Sequence, residues 1–231
     1  MSAKRKPVIA IDGPAGAGKS TIARALAEKL GYVYVDTGAM YRAVAWRALK
    51  EKVSLDSPEE LAALARSTRL RFARDGKAGR LLANGEDVSR RIRTQRVSQA
   101  TSVLAAVPGV RRVLVKLQRE WGRRGRVVME GRDIGTAVFP DAEAKFYLDA
   151  SPLERARRRY KELRAKNKRV NLKAIADGIR RRDARDKARP DSPLRAASDA
   201  LVIDSTRLSQ SQVVELISKR ILERRTGKAH R

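Results

Sequence analysis

The sequence predicts an α/β protein: a five-stranded parallel sheet with helices on both faces, a small antiparallel insert and a helical lid. Three observations lead there. Short apolar runs alternate with helical patterns along most of the 231 residues. In such a chain a parallel sheet lets every strand and helix bury its apolar side. Residues 69–96 break the alternation with short strand patterns and turn signals, as an antiparallel insert does. Residues 154–195 carry 17 basic and 6 acidic side chains with few apolar positions. That composition suits a pair of helices that packs weakly on a core and can move over a site.

Taken in order, Val8–Ile11 is the first strand, continuously apolar as a strand covered on both faces must be. A helix runs from Lys19 to about Leu30 and stops at Gly31, a residue suited to a left-handed helix end. Tyr32–Val35 is the second strand, and Asp36-Thr37-Gly38 leads into a helix through Met40 and Trp46 to about Lys50. Ser57-Pro58-Glu59-Glu60 reads as a helix start, with a serine cap, proline at the first position and acids in the first turn. Leu70-Arg71-Phe72 and Leu81-Leu82-Ala83, with turns at Asp75-Gly76 and Asn84-Gly85, form the insert. Ser98–Arg119 is a long helical pattern that Pro108-Gly109 should bend or split. Val127–Met129 and Lys145–Leu148 are strands three and four. Asp149-Ala150-Ser151-Pro152 opens the first arginine-rich helix, and Asn171 caps the second, Leu172 to about Lys187. Ala200–Asp204 is strand five. Ser209 caps a final amphipathic helix with apolar positions Val213, Val214, Leu216, Ile217, Ile221 and Leu222, and the chain is expected to fray after Arg224.

Composition excludes several classes of chemistry. The chain has no cysteine and a single histidine, His230 in the tail, so disulfides, thiolate metal sites and histidine-based triads are out. No apolar run reaches the roughly 20 residues of a membrane span, and no apolar signal segment follows the basic start, so a cytoplasmic location is expected. The net charge is +27, made of +3 in residues 1–60, +10 in 61–150 and +14 in 151–231. Such a balance attracts polyanions. It fits an enzyme of nucleotide phosphates, weak non-specific polyanion binding, or simple solubility.

The stretch VIAIDGPAGAGKST, Val8–Thr21, carries the most specific chemistry. It sets Gly13-x-x-x-x-Gly18-Lys19-Ser20 between a strand and a helix start, the required context of a phosphate-binding P-loop. Glycines free the backbone N–H groups to curl around phosphate oxygens, and the helix points its positive end at the same anion. This assigns Gly13, Pro14, Ala15, Gly16, Ala17, Gly18, Lys19, Ser20 and Thr21 to a nucleoside triphosphate, with Ser20 as the Mg²⁺ ligand. Ligands of open parallel sheets sit beyond the carboxyl ends of the strands. Asp12–Ser20, Asp36–Arg42, Glu130–Asp133 and Asp149–Pro152 are therefore expected to border one crevice. Asp12 itself also suits a strand-end acid holding loop amides.

Three further motifs join the P-loop: Asp36-Thr37-Gly38-x-x-Tyr41-Arg42, Gly131-Arg132-Asp133, and Arg182-Asp183-x-x-Asp186-x-x-Arg189. With Ile92-Arg93-Thr94-Gln95 and the run Gly131 to Asp141, they make the chain resemble bacterial cytidylate kinases from Val8 to about Leu222. The insert before Ile92 resembles the one that marks this family. The resemblance implies ATP- and Mg²⁺-dependent phosphorylation of CMP and dCMP by a monomer. Phosphoryl transfer to a monophosphate needs no strong base, because the acceptor is mostly dianionic at neutral pH, but it needs fixed cations between two polyanions. Lys19, Arg132 and Arg182 are implied as catalytic, and Arg158, within the run Arg157–Arg159, as an ATP contact. Thr37, Tyr41, Arg42, Ser102, Arg111, Arg132, Asp133, Asp186 and Arg189 are implied for CMP. Asp133 is a sound acceptor for the cytosine amine.

Bland roles compete at several positions. Asp133 could pair with Arg132 or reach Mg²⁺ through water, Ser102 could be an ordinary helical serine, Asp186 could be a helix partner of Arg182 or Arg189, and Tyr41 and Trp46 fit core packing. The expected division is a core of 7–60, 104–152 and 196–225, a monophosphate-binding region 61–103, a lid 153–195 and a flexible tail 226–231. The rival readings are a P-loop kinase for UMP or AMP and a basic nucleic-acid-associated protein. Against the latter, aromatic residues make up only 4% of the chain.

Overall fold

A computed structural model describes residues 7–73, 80–165 and 169–227. The Asp75-Gly76 turn and His230 lie outside them. The central sheet has five strands: β1 (Val8–Asp12), β2 (Val33–Asp36), β6 (Val127–Glu130), β7 (Ala144–Asp149) and β8 (Leu201–Asp204), in the spatial order β2-β6-β1-β7-β8. β1 pairs in parallel with β6 and β7, and every residue of β1 is buried. This is why its sequence is apolar without alternation. The register sets Ile11 beside Glu130 and Asp12 beside Tyr147, and on the other side Asp149 beside Asp204. Acids thus end the strands at one edge of the sheet, where such folds place ligands.

Two compact units divide the chain: Met1–Val35 with Gly122–Arg231, and Asp36–Trp121. The first holds the parallel sheet. α1 (Lys19–Leu30) packs on β6 and on α8 (Gln210–Thr226) through Ile22, Leu26, Val213 and Ile217. As expected, α1 ends at Gly31 in the left-handed conformation (φ 64°), and Ser209 caps α8 with a reciprocal bond from Gln212. Two expectations for α8 fail. Leu216 and Leu222 are exposed, because the buried stripe narrows to Val213, Ile217 and Ile221. The helix also continues past Arg224 to Thr226, held where Arg224 donates to the Glu143 carbonyl and Arg225 pairs with Glu143 and Tyr32.

α6 (Pro152–Arg164) and α7 (Leu172–Lys187) form the arginine-rich pair. Ser151 and Asn171 cap them as the sequence indicates. Their apolar contact is small, with Ala156 and Ile179 buried, but Arg155, Asp183 and Asp186 are buried too. One buried ion pair, Arg155 with Asp183, joins the two helices beside that small apolar contact.

The second unit has its own core. It comprises α2 (Thr37–Lys50), α3 (Pro58–Arg66), the antiparallel strands β3 (Leu70–Ala73), β4 (Arg80–Ala83) and β5 (Glu86–Asp87), α4 (Gln95–Leu104) and most of α5 (Pro108–Gly122). Met40, Val44, Leu61, Leu104, Val110 and Leu114 are central to it. The predicted antiparallel insert is present, with a third, two-residue strand that the sequence did not announce. Asn84 and Gly85 both take positive φ (50° and 87°) in the turn before it, as a tight hairpin of this kind needs. The long pattern from Ser98 to Arg119 is two helices: Pro108 starts the second at the position where its missing N–H does no harm. The first begins three residues early, because Thr94 accepts a bond from the Val97 N–H. Ser57 precedes α3, but its hydroxyl makes no cap bond; Pro58, Glu59 and Glu60 start that helix.

Candidate active site

The glycine loop of the first unit is built around close approaches. Gly13 (φ 142°), Gly16 (φ 80°) and Gly18 (φ 91°) all have φ values that other residues rarely adopt. A side chain at Gly13 would meet the Leu148 carbonyl oxygen at 2.0 Å. Lys19 is buried, and its ammonium donates to the Pro14 carbonyl across the loop at 2.7 Å. Burial pushes the Lys19 pKa down to about 7; Arg132 adds to the effect, Glu130 opposes it, and Arg182 and Asp12 contribute less, in opposite directions. Ser20 and Thr21 are exposed at the start of α1. Among the described residues no group of three His, Cys, Asp or Glu side chains could hold a metal ion. A divalent cation there would take its oxygens from nucleotide phosphates and water, with the Ser20 hydroxyl as the protein's share, which suits Mg²⁺.

Asp12, at the end of β1, accepts from the backbone N–H groups of Ile134 (2.8 Å) and Gly135 (2.7 Å). It therefore fills the structural role open to it from sequence, although the amides belong to the turn after β6 and not to the glycine loop. That turn, Ile134–Val138, is a single π-helical turn. Burial raises the Asp12 pKa to about 7; the bonds from Gly135 and Ile134 pull it down, nearby Asp133 pushes it up, and Lys19 pulls it down. Asp133, at the head of the turn, is buried.

Asp186 on α7 is 0% exposed and gathers arginines. Arg132 donates to it at 3.1 Å, Arg189 pairs with its other oxygen, and Arg182 lies 3.9 Å away. Burial opposes ionisation of Asp186 most strongly, but Arg132, Arg189 and Arg182 together outweigh it and hold the carboxyl below its usual range. Sequence reasoning named all four residues. It left Asp186 open as a helix partner of Arg182 or Arg189, and the carboxylate does meet both.

Arg155 is a residue that sequence reasoning missed. It is buried, donates to the carbonyls of Ala150 (2.9 Å) and of Ala15 in the glycine loop (3.1 Å), and pairs with Asp183. The available signal was Asp183 itself, three residues before Asp186 and so on the same helical face. Of the run Arg157–Arg159, Arg158 reaches the glycine loop. It bonds the Ser205 carbonyl (2.5 Å) and hydroxyl (3.0 Å) and the Ala17 carbonyl (3.5 Å). Arg157 is exposed, and Arg159 pairs with Glu162.

In the second unit, Asp36 organises the start of α2. One carboxylate oxygen caps the helix at the Ala39 N–H and the other holds Arg42, both at 2.7 Å. Gly38 makes room for this: a side chain there would lie 3.1 Å from both Arg42 and Asp36. Thr37 is buried at the first turn. Tyr41 packs in the core with the Arg111 guanidinium 6.0 Å from its ring, and Trp46 packs against the same core. Arg111 is 2% exposed and donates to the Ala105 carbonyl. Ser102 is buried on α4, and its hydroxyl has no hydrogen-bond partner among the described residues.

Comparison with known proteins identifies the family. The cytidylate kinase family model matches residues 9–223. A cytidylate kinase from Geobacter sp. (strain M21) is 49% identical over 217 residues, covering 94% of this chain and 93% of its own. One from Citrifermentans bemidjiense is 49% identical over 226 residues, covering 97% of each. Among solved structures, a shikimate kinase from Acinetobacter baumannii aligns with a TM-score of 0.47 at 18% identity over 94% of each chain, a distant likeness. A family match over nearly the whole length, with relatives 49% identical across almost all of both chains, decides the question: the protein belongs to the cytidylate kinase family.

Proposed function

We propose that the protein transfers the γ-phosphoryl group of ATP to CMP, and to dCMP, with Mg²⁺ bound through the nucleotide phosphates and Ser20. The observation that carries the reading is the gathering of Arg132, Arg182 and Arg189 on one buried carboxylate, in the same unit as the glycine loop and Lys19. Transfer between two polyanions needs cations fixed before the substrates arrive, since donors that are already oriented need no reorganisation as charge moves. On this reading Gly13 to Thr21, with Arg158, hold ATP. Lys19, Arg132 and Arg182 stabilise the charge that spreads over the transferred group. Thr37, Tyr41, Arg42, Ser102, Arg111, Arg132, Asp133, Asp186 and Arg189 serve CMP, Asp133 by accepting from the cytosine amine and Asp186 by orienting its arginines. Residues 153–195 act as the lid and 61–103 as the monophosphate-binding region, the flanking segments 7–60, 104–152 and 196–225 as the core, and 226–231 as a tail. Lid closure excludes water and so limits ATP hydrolysis. Among the described residues no helix is long and apolar enough to cross a membrane, and the working form is taken to be a cytoplasmic monomer.

The test is an acceptor panel of CMP, dCMP, UMP and AMP with coupled detection of ADP. CMP and dCMP should exceed the others by at least about tenfold in kcat/KM, the size of one well-made base contact. A preference for UMP or AMP, or transfer to none of the four, overturns the assignment. Lys19→Ala should abolish turnover without unfolding the chain, because it removes a cation that is costly to bury; retained activity would remove Lys19 from the site.

A further inference from the structure

The kinase reading leaves most of the +27 charge unused, and one surface feature of the second unit gathers some of it. A groove of about 360 Å³ is lined by Trp46, Leu49, Lys50, Arg91, Arg96 and Val97, with Thr94 at the start of α4. It is built from the last turns of α2, the segment just before α4 and the first turn of α4. Trp46, Leu49 and Lys50 lie outside the proposed kinase site, while Arg91, Thr94, Arg96 and Val97 lie in the region proposed to bind the monophosphate without being among its named contacts. The Lys50 ammonium lies 4.8 Å, and the Arg91 guanidinium 5.9 Å, from the centre of the Trp46 ring. Both cations lie over the ring, and Glu86 pairs with each of them. Arg96 is exposed and has no ion-pair partner among the described residues, and the same is true of Arg90 and Arg93 on the neighbouring loop.

We propose that this groove binds single-stranded nucleic acid, with one base on Trp46 and the adjoining phosphates on Lys50, Arg91 and Arg96. An aromatic ring among cations is the combination that such chains recognise, since every base has a face to stack and every linkage a charge to meet. The volume lies at the small end of ligand pockets and suits one base with its sugar. Arg90 and Arg93 extend the positive charge beyond the groove, and that favours a run of phosphates over a lone nucleotide. The long-range field of a +27 chain draws in the same partner. None of this depends on which monophosphate the kinase accepts.

The test uses the full chain carrying Trp121→Phe, which leaves Trp46 as its one tryptophan. A fluorescein-labelled 12-nucleotide oligouridine RNA is titrated at physiological salt with ADP and CMP saturating the kinase site. Trp46 emission should be quenched. In the parent chain, Trp46→Leu should weaken binding by about tenfold or more, the scale of one lost stacking contact. The pair Arg91→Ser and Arg96→Ser should weaken it too and flatten the dependence of log affinity on log salt by about 1.4, two phosphates' worth for a single strand. CMP kinase kcat/KM should stay within about twofold in Trp46→Leu, which also reports that it folds, and circular dichroism checks the fold of the arginine pair; should Trp46→Leu fail its check, the arginine pair decides. The proposal falls if Trp46 emission is unchanged, if UMP alone quenches it with the affinity of the RNA, if ADP and CMP displace the RNA, or if the folded variants bind RNA as the parent does.

Discussion

Replacing Arg155 with methionine tests whether a buried cation ties the arginine-rich helices to the glycine loop. Arg155 is 7% exposed at its side chain and Asp183 11%, so water screens their contact little. The substitution keeps the aliphatic bulk but removes three donors, to Asp183, Ala150 and Ala15. It leaves the Asp183 carboxylate buried without its cation. Breaking one side of a buried pair costs about 3–5 kcal/mol. At about 2–4 °C per kcal/mol for a chain of this size, the melting midpoint should fall by roughly 6–20 °C. Arg155→Met with Asp183→Leu should recover much of that loss, because no charge is then stranded. The double-mutant cycle should give a coupling of at least about 2 kcal/mol by denaturant unfolding. Arg155→Lys should fall between, since one ammonium cannot serve three acceptors set for a planar fork. Because Ala15 lies in the loop assigned to ATP, the folded variants should raise KM for ATP more than KM for CMP. A loss below about 1 kcal/mol for Arg155→Met, or strict additivity in the cycle, would refute the reasoning.

Other expectations concern pH, specificity and helix starts. The Asp12 carboxyl titrates near 7 when folded and near 3.8 when unfolded. Between those values the folded state holds a proton that the unfolded state lacks, so this group makes stability fall as pH rises. Asp12→Asn should cancel that slope, and the variant should gain on the parent by on the order of 1–3 kcal/mol from pH 5 to pH 7 in thermal melts. A constant offset is expected as well, since a single amide oxygen cannot serve both Ile134 and Gly135 as two carboxylate oxygens do; parallel pH profiles would disprove the shift. Asp133→Ala should reduce the preference for CMP over UMP by about tenfold while leaving KM for ATP near its parent value, and unchanged selectivity would take the base-reading role from Asp133. Ser209→Ala should cost about 1 kcal/mol by removing a capping box, whereas Ser57→Ala should cost less than about 0.5 kcal/mol because that hydroxyl makes no cap bond. Equal losses in chemical unfolding would contradict the cap geometry.

The contrast between Ser57 and Ser209 shows what a linear pattern can and cannot specify. Strands and helices were legible wherever one local interaction sufficed: the apolar run of β1, the left-handed stop at Gly31, the side-chain caps at Asn171 and Ser209. The proline split at 108 was legible for the same reason. Ser57 has the right residue in the right place, yet proline and two acids start α3 without its hydroxyl. The π-helical turn at Ile134–Val138 had no local signature, because its fixed point is Asp12, 122 residues earlier in the chain. Arg155 was hidden for a similar reason. In a run of arginines, composition cannot say which one points inward; the answer depends on a carbonyl of the glycine loop 140 residues away. The arginines of the candidate site were legible only as members of motifs, and their mutual geometry came from Asp186.

That geometry changes how the charge of the chain should be read. Counted along the sequence, residues 154–195 show a surplus of eleven positive charges, and most of the basic side chains among the described residues face water. The acids in the same segment are few, but two of them, Asp183 and Asp186, are buried and each holds arginine. Asp186 draws Arg132, Arg182 and Arg189 together, so one negative charge faces three positive ones. Such a cluster concentrates a net positive charge beside a buried carboxylate, and a phosphate placed beside it lowers the energy of every arginine at once. The depressed pKa of Lys19 belongs to the same field, for Arg132 and Arg182 both contribute to it. A phosphate group there would offset those cations and favour the charged ammonium. The positions of the buried acids, rather than the number of arginines, therefore set where a polyanion gains most from binding.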